Sequence, residues 1–291
     1  MRKYFLLLLI LTPLLVTSQS FDNFRRARNV IVSVGSGSNY YVGELMEENL
    51  RLVRLNANVG MEYFFLPRIS VRGELNLFRL SARDAFADEA DERRTRNLSF
   101  FSNNKELNFA ATVNLFRLPE RFDRRAYVNL YAFAGIGLLV MNPKTEYKGK
   151  TYALAPLETE GVKYSRLQTA FPLGFGIRMR FLMVNSLVIE GGYRFLQTDY
   201  LDDVSGVTPF GTETTTKGRY PNPAILKSDL SRALSDRRKE FNPNFGNAYN
   251  FGVRGNPLTK DAYFLLNVRI EHYLHDSFYL SRRMRELMRY R

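Results

Sequence analysis

The chain has 291 residues, a formal net charge of +13, no cysteine and no tryptophan, against 23 phenylalanines and 17 tyrosines. Without cysteine there is neither a disulfide framework nor a thiol for a lipid anchor. Beyond residue 20 no segment approaches eighteen consecutive apolar residues, which excludes a helical membrane protein.

Arg2 and Lys3 precede an apolar run from Tyr4 to Val16, and Val16-Thr17-Ser18 offers small residues for cleavage ahead of Gln19. That layout predicts a secretory signal peptide over 1–18, the run being too short to span a membrane. Export in turn argues against a nucleic-acid partner for the basic residues. A first strand is expected at about Asn29 to Gly37. From Val53 to Tyr63 the alternation is strict: Val53, Leu55, Ala57, Val59, Met61 and Tyr63 are apolar, and Arg54, Asn56, Asn58, Gly60 and Glu62 are polar or tiny. Period two places one set in lipid and the other in a polar interior, and it does not fit a helix. The pattern returns around Val71 to Leu77, Leu107 to Leu115, Leu173 to Phe181, Leu187 to Phe195 and Phe264 to Ile270. A less regular copy, Tyr127 to Val140, turns Gly135 and Gly137 inward. That makes eight strands.

The connections between them are roughly 14, 4, 23, 9, 24, 4 and 60 residues long, so long and short alternate. An outer-membrane barrel with both ends in the periplasm requires that order, with long loops outside and short turns inside. The fold class predicted is therefore all-β, an eight-stranded antiparallel transmembrane barrel over residues 19–274, with its largest extracellular loop at about 201–260. Phe64, Phe65 and Phe181, flanking the short turns, suit an interfacial girdle.

Eight strands enclose a lumen only just wide enough for side chains. Arg54, Arg72, Arg178, Arg180, Arg194 and Arg269 are expected to point into it. So are Glu62, Glu74, Glu106, Glu190 and Glu271. Opposite charges in a narrow space should pair, because an unpaired buried charge is costly; the expectation is a salt-bridged plug and not a diffusion pore. In the last long loop, Asn222-Pro223 reads as a helix start, followed by Ile225, Leu226, Leu230, Ala233 and Leu234 at helical spacing. That stripe could close the mouth or dock a partner. After Leu274 a basic tail, 275–291, carries Arg282, Arg283, Arg285, Arg289 and Arg291, with Met284, Leu287 and Met288 on one helical face, which suits anionic headgroups or an acidic periplasmic partner.

Candidate chemistry is sparse. Asp199, Asp202 and Asp203 gather after the seventh strand and could offer hard oxygen ligands to Ca²⁺, although shaping a loop is the simpler role and no metal site is assigned. The two histidines, His272 and His275, fall at the periplasmic end, so no His-based dyad forms at the extracellular rim. No catalytic residue and no cofactor are expected.

Three segments carry a resemblance. Ser38-Asn39-Tyr40-Tyr41-Val42-Gly43-Glu44-Leu45 resembles the Asn-Tyr-x-Gly-Asp-Leu signature of a Bacteroidota outer-membrane barrel family, with one extra residue and Glu44 for aspartate. Thr198-Asp199-Tyr200-Leu201-Asp202-Asp203-Val204-Ser205 matches that family's second signature more closely. Arg254-Gly255-Asn256, followed by Asp261 and Tyr263, fits as well. The family includes the type IX secretion component PorG. The resemblance implies a non-enzymatic barrel that acts by contact, as a scaffold or anchor in type IX protein secretion. Its implied partners are outer-membrane lipid and periplasmic or lipoprotein parts of that machinery. The alternatives are a free-standing OmpA/OmpX-like surface barrel binding ligands through its loops, and a rim enzyme acting on lipid or peptide.

Overall fold

The computed structural model describes residues 28–45, 54–87, 92–119, 122–206, 218–246 and 253–274. The predicted signal peptide, His275 and the arginine-rich tail lie outside them. Eight long strands run β1 (Val30–Val42), β2 (Arg54–Phe64), β3 (Ile69–Arg83), β4 (Ser99–Asn114), β5 (Val128–Val140), β6 (Leu167–Arg180), β7 (Asn185–Leu196) and β8 (Ala262–Tyr273). Each pairs antiparallel with its sequence neighbours, and β8 pairs with β1 from Ile31 opposite Tyr273 to Val42 opposite Ala262. The sheet is a closed up-and-down barrel. Closure leaves no open edge, which a hydrocarbon environment demands of any sheet.

Burial follows the alternation. In β4 every even residue from Phe100 to Asn114 is buried, while Leu107, Phe109 and Val113 stand exposed. Leu55, Val59, Met61, Leu75, Leu77, Ile136, Leu138, Leu173, Phe175, Ile189, Val268 and Ile270 continue this outward apolar surface around the barrel. An exposed aliphatic belt over a charged interior is the inverse of a soluble core, and it places the chain in the outer membrane. Among the described residues no helix is long and apolar enough to cross a membrane.

The described residues of the turns between β2 and β3, β4 and β5, and β6 and β7 lie at one end, the end expected to face the periplasm, where the described chain also starts and stops; those of the other four connections lie at the opposite end. Several boundaries differ from expectation. β1 continues to Val42, so Asn39 and Tyr40 are strand residues: Asn39 is buried inside, and Tyr40 alternates outward. The turn after β4 is longer than expected because a short 3-10 turn, Phe122–Arg124, folds back under the barrel. Phe64 is not in the girdle. It points inward and joins Ile31, Phe122 and Tyr273 in an apolar floor, whereas Phe65, Phe116, Tyr127 and Phe181 stay exposed at that rim. A further hairpin, Lys144–Tyr147 with Lys150–Ala153, extends β4 beyond the barrel at Phe101 opposite Lys144. Its two-residue turn, Lys148-Gly149, takes positive φ at both positions (48° and 73°), as a tight hairpin with matching twist requires.

Candidate functional site: a plugged lumen and an extracellular cap

The lumen is crossed by an ionic belt drawn from six strands. Arg178 on β6 donates through Nε and Nη2 to Glu271 on β8 (2.5 and 3.1 Å) and through Nη2 to Glu62 on β2 (2.9 Å). Higher up, Arg72 on β3 donates to Glu190 on β7 (2.6 and 3.1 Å), and Arg269 on β8 donates to Glu190 (2.7 Å) and to Glu74 on β3. Tyr131 donates to the same Glu190 (2.6 Å), and Ser70 donates to Glu62 (2.5 Å). Period two on every strand aims these side chains at one axis, so residues distant in sequence meet as a layer. Inward glycines supply the space: a Cβ on Gly176 would overlap the Tyr131 ring, and one on Gly192 the rim of Phe133.

Seven of the eleven predicted lumen charges therefore pair in two stacked clusters, with Tyr131 between them: it donates to Glu190, and Arg178 lies over its ring. The other four do not. Glu106 and Arg194 lie deeper toward the mouth: Glu106 accepts from Tyr263 (3.0 Å), and Arg194 donates to the Gly192 carbonyl (2.5 Å). Arg54, at the extracellular start of β2, donates to Ser81 Oγ (3.1 Å) in a surface hollow beside Arg79 and Arg83, so it is not a lumen residue. Arg180, at the periplasmic end of β6, caps the carbonyls of Asp123 and Arg125 (3.2 and 3.0 Å) and lies over the Tyr127 ring. Both stand at strand termini, where inward and outward lose their meaning. Arg125 is buried in the floor, stacked on Tyr273 and Phe122 and donating to Ser186 (2.7 Å), so the middle of the 115–127 turn packs upward instead of hanging free.

Above the belt the interior turns apolar. Phe78, Leu80, Phe100, Leu139, Leu196 and Leu265 from the strands merge with Leu45, Leu98, Met141, Leu154, Leu201, Val204 and Leu234 from the loops in one core. The predicted helix in the last loop is two elements. Asn222 caps a 3-10 turn, Pro223–Ile225, and Ser228 Oγ accepts from Ser231 N (3.1 Å) to start the α-helix Asp229–Ser235. Two capping residues six apart break what sequence spacing joins. Leu226 and Leu234 are buried, and the helix closes its own barrel mouth, leaving Ile225 exposed.

Arg254, almost wholly buried, ties the cap together. It pairs with Glu160 (2.6 Å) and donates to Ser235 O, Asp203 O (3.3 Å) and Thr159 (3.3 Å), linking four loop segments. Gly255 beside it allows the Ser205 carbonyl to approach where a Cβ would overlap it. Arg96 makes a fork with Asp84 (2.7 Å twice) and donates to the carbonyls of Glu44 (3.0 Å) and Arg254. Asp84, Arg96 and Glu160 belong to no sequence pattern, and spacing alone would not have singled them out.

The motif residues converge here. Tyr41 Oη lies 2.7 Å from Asp202 Oδ2 and 2.8 Å from Asp261 Oδ1. Glu44 Oε1 accepts from Asn256 N (2.7 Å), Asp202 Oδ1 from Val204 N (2.9 Å), and Asp261 Oδ2 from Leu201 N (2.8 Å). Asp203 adopts φ +70° and turns the other way, to Thr159 and Tyr164 (2.6 Å). Tyr200 stacks on Tyr164 at 4.8 Å. Burial raises the pKa of Asp199, Asp202 and Asp203 to about 7 each; burial and then the charges of Asp202 and Asp199 raise Glu44 to about 10 and Asp261 well above its ordinary range. Tyr41 and Asp261 were legible as motif members, but nothing in the sequence assigned them to this cluster. His272 sits at the opposite end, on the outer face, with Nδ1 2.7 Å from Asn185 Oδ1.

No family model matches the chain, and no curated protein is similar to it in sequence. Among solved structures it is similar to Neisserial surface protein A, at 7% identity over 84% of this chain and 97% of that one, with a TM-score of 0.40. It is also similar to the N-terminal β-barrel domain of Pseudomonas aeruginosa OprF, at 7% identity over 84% and 99%, TM-score 0.37. A third is Ail, the attachment invasion locus protein of Yersinia pestis, at 13% identity over 84% and 99%, TM-score 0.37.

Proposed function

We propose that this chain is a non-enzymatic outer-membrane scaffold that acts by contact, and that its partners are components of a type IX secretion machine. The observation that carries the first part is the filled lumen: an Arg–Glu belt below, an apolar core above and a helix at the mouth occupy the interior. A barrel filled in this way presents surfaces rather than transporting solutes. Its two usable surfaces are the folded cap outside and the floor with exposed Arg117 and Arg124 inside. The assignment to secretion rests on the resemblance of the three motif segments and on the basic sequence of the tail, whose arginines suit anionic or acidic partners.

A crosslinked pull-down of the tagged, full-length protein from its native outer membrane tests this reading. Recovery of type IX ring or lipoprotein components is expected, and deletion of 275–291 should abolish it while the barrel still assembles. Recovery of the barrel alone, from cells that carry the machinery, would overturn the secretion assignment. One observation favours a second reading, a free-standing surface barrel: the cap is a preorganised platform of the kind that binds ligands without ordering cost. In that case function would tolerate loss of the tail and fail on shortening residues 205–255.

A further inference from the structure

Six buried acids in this barrel are matched by guanidinium groups: Glu62, Glu74, Glu190 and Glu271 in the lumen belt, and in the cap Asp84 with Arg96 and Glu160 with Arg254. Glu106 and Asp203 are held by hydroxyl groups instead. Three further acids gather at one point. Glu44, just past β1, Asp202, just past β7, and Asp261, immediately before β8, each bring a carboxylate oxygen to within 4.8 Å of the others. Among the described residues no lysine or arginine forms an ion pair with any of the three. Arg96 acts on Asp202 only at range, its own donors being held by Asp84 and two carbonyls.

Two further observations point to something held between them. Tyr41 has one hydroxyl hydrogen, yet Asp202 and Asp261 both lie at hydrogen-bond distance from its oxygen, so the second contact needs either a protonated carboxyl or a cation to offset it. A fourth carboxylate, Asp199, stands beside the group and acts on the charge of all three; it is only 4% exposed, and its Oδ2 has no hydrogen-bond partner. Glu44 Oε2 is likewise buried without a partner.

We propose that Glu44, Asp202 and Asp261, backed by Asp199, form a calcium site that ties the first extracellular loop to both ends of the last one. All the donors are hard oxygens, as calcium prefers. Calcium–oxygen distances of about 2.3–2.6 Å admit ligand atoms up to about 5 Å apart, which covers the whole spread of these oxygens, and calcium tolerates irregular shells where magnesium demands a near-ideal octahedron. Glu44, with one oxygen free, can close the shell in bidentate fashion. The ligands differ from the three consecutive-motif aspartates that sequence alone offers: Asp203 is turned away by its left-handed backbone, and Glu44 and Asp261 arrive from other loops. This inference does not depend on the secretion reading.

The test uses full-length barrel refolded in detergent free of lipopolysaccharide, stripped with chelator and titrated with calcium chloride by calorimetry. One calcium per chain is expected, with Kd near the 10⁻⁴–10⁻³ M range common to extracellular sites. Asp261→Asn and Glu44→Gln should each weaken it by about tenfold or more, with heat-dependent gel mobility unchanged. Absence of binding at millimolar calcium, or an affinity untouched in the double variant, would overturn the site. Should the variants fail to fold, protease cleavage of the wild-type 197–261 loop decides. Calcium should slow it and magnesium should not, and equal cleavage with and without calcium would sink the proposal.

Discussion

At the residue scale, the lumen and the cap solve the same electrostatic problem differently. Arg178 holds two glutamates, so removing it strands both. Arg178→Ala should cost about 3–5 kcal/mol, the range for breaking a buried pair, read as a lower temperature for the heat-dependent shift in gel mobility. Adding Glu62→Gln and Glu271→Gln should recover much of that loss, because the cost lies in the uncompensated charge and not in the missing contact. The cap acids predict a pH dependence in chelator. Asp202 has an ordinary pKa of 3.8 and a folded value of about 7, raised chiefly by burial. The folded state therefore holds a proton that the unfolded chain releases, so its contribution is full below about pH 4 and is lost as pH rises to about 7. Protease cleavage of the cap should accelerate from pH 5 to pH 8 without calcium, and Asp202→Asn should flatten the slope. A cap that is equally resistant across that range would contradict this account.

At the element scale, the mouth-closing helix is held by one apolar anchor and one cap. Leu234→Ala should destabilise the closed mouth by about 2–5 kcal/mol, and Ser228→Ala by about 1 kcal/mol. Hydrogen exchange of residues 229–235 measures both, and the barrel strands should keep their protection. The hairpin at 144–153 shows what period-two reading misses. Its strands are four residues each, too short for alternation to register, and only the Lys148-Gly149 turn marks it. The long strands were legible because lipid outside and charge inside make every second residue differ sharply. The eight-residue and longer runs of β2, β3 and β4 therefore declare themselves, while β1, interrupted by Gly35 and Gly37, runs five residues past its expected end, to Val42.

At the scale of the whole molecule, closure governs behaviour. In planar bilayers the folded protein should show no stepwise conductance, and steady single-channel openings would contradict the filled lumen. Floor, belt, apolar upper core and cap form a continuous packed column inside the sheet. Loss of one layer should therefore leave the barrel assembled, since backbone pairing around the ring does not depend on any single side chain.

The sequence by itself determined the class of fold, the strand number, the inward charges away from the strand ends and the segregation of long and short loops. These depend on local periodicity and on the solvents on either side of a sheet. Tertiary structure decided the rest. Which arginine meets which glutamate depends on register between strands up to 195 positions apart, as with Arg269 and Glu74. That Arg54 and Arg180 leave the belt depends on where strands end. Glu44, Asp202 and Asp261 converge only because closing β8 onto β1 brings the start and the end of the extracellular loops together, a proximity that no spacing along the chain encodes.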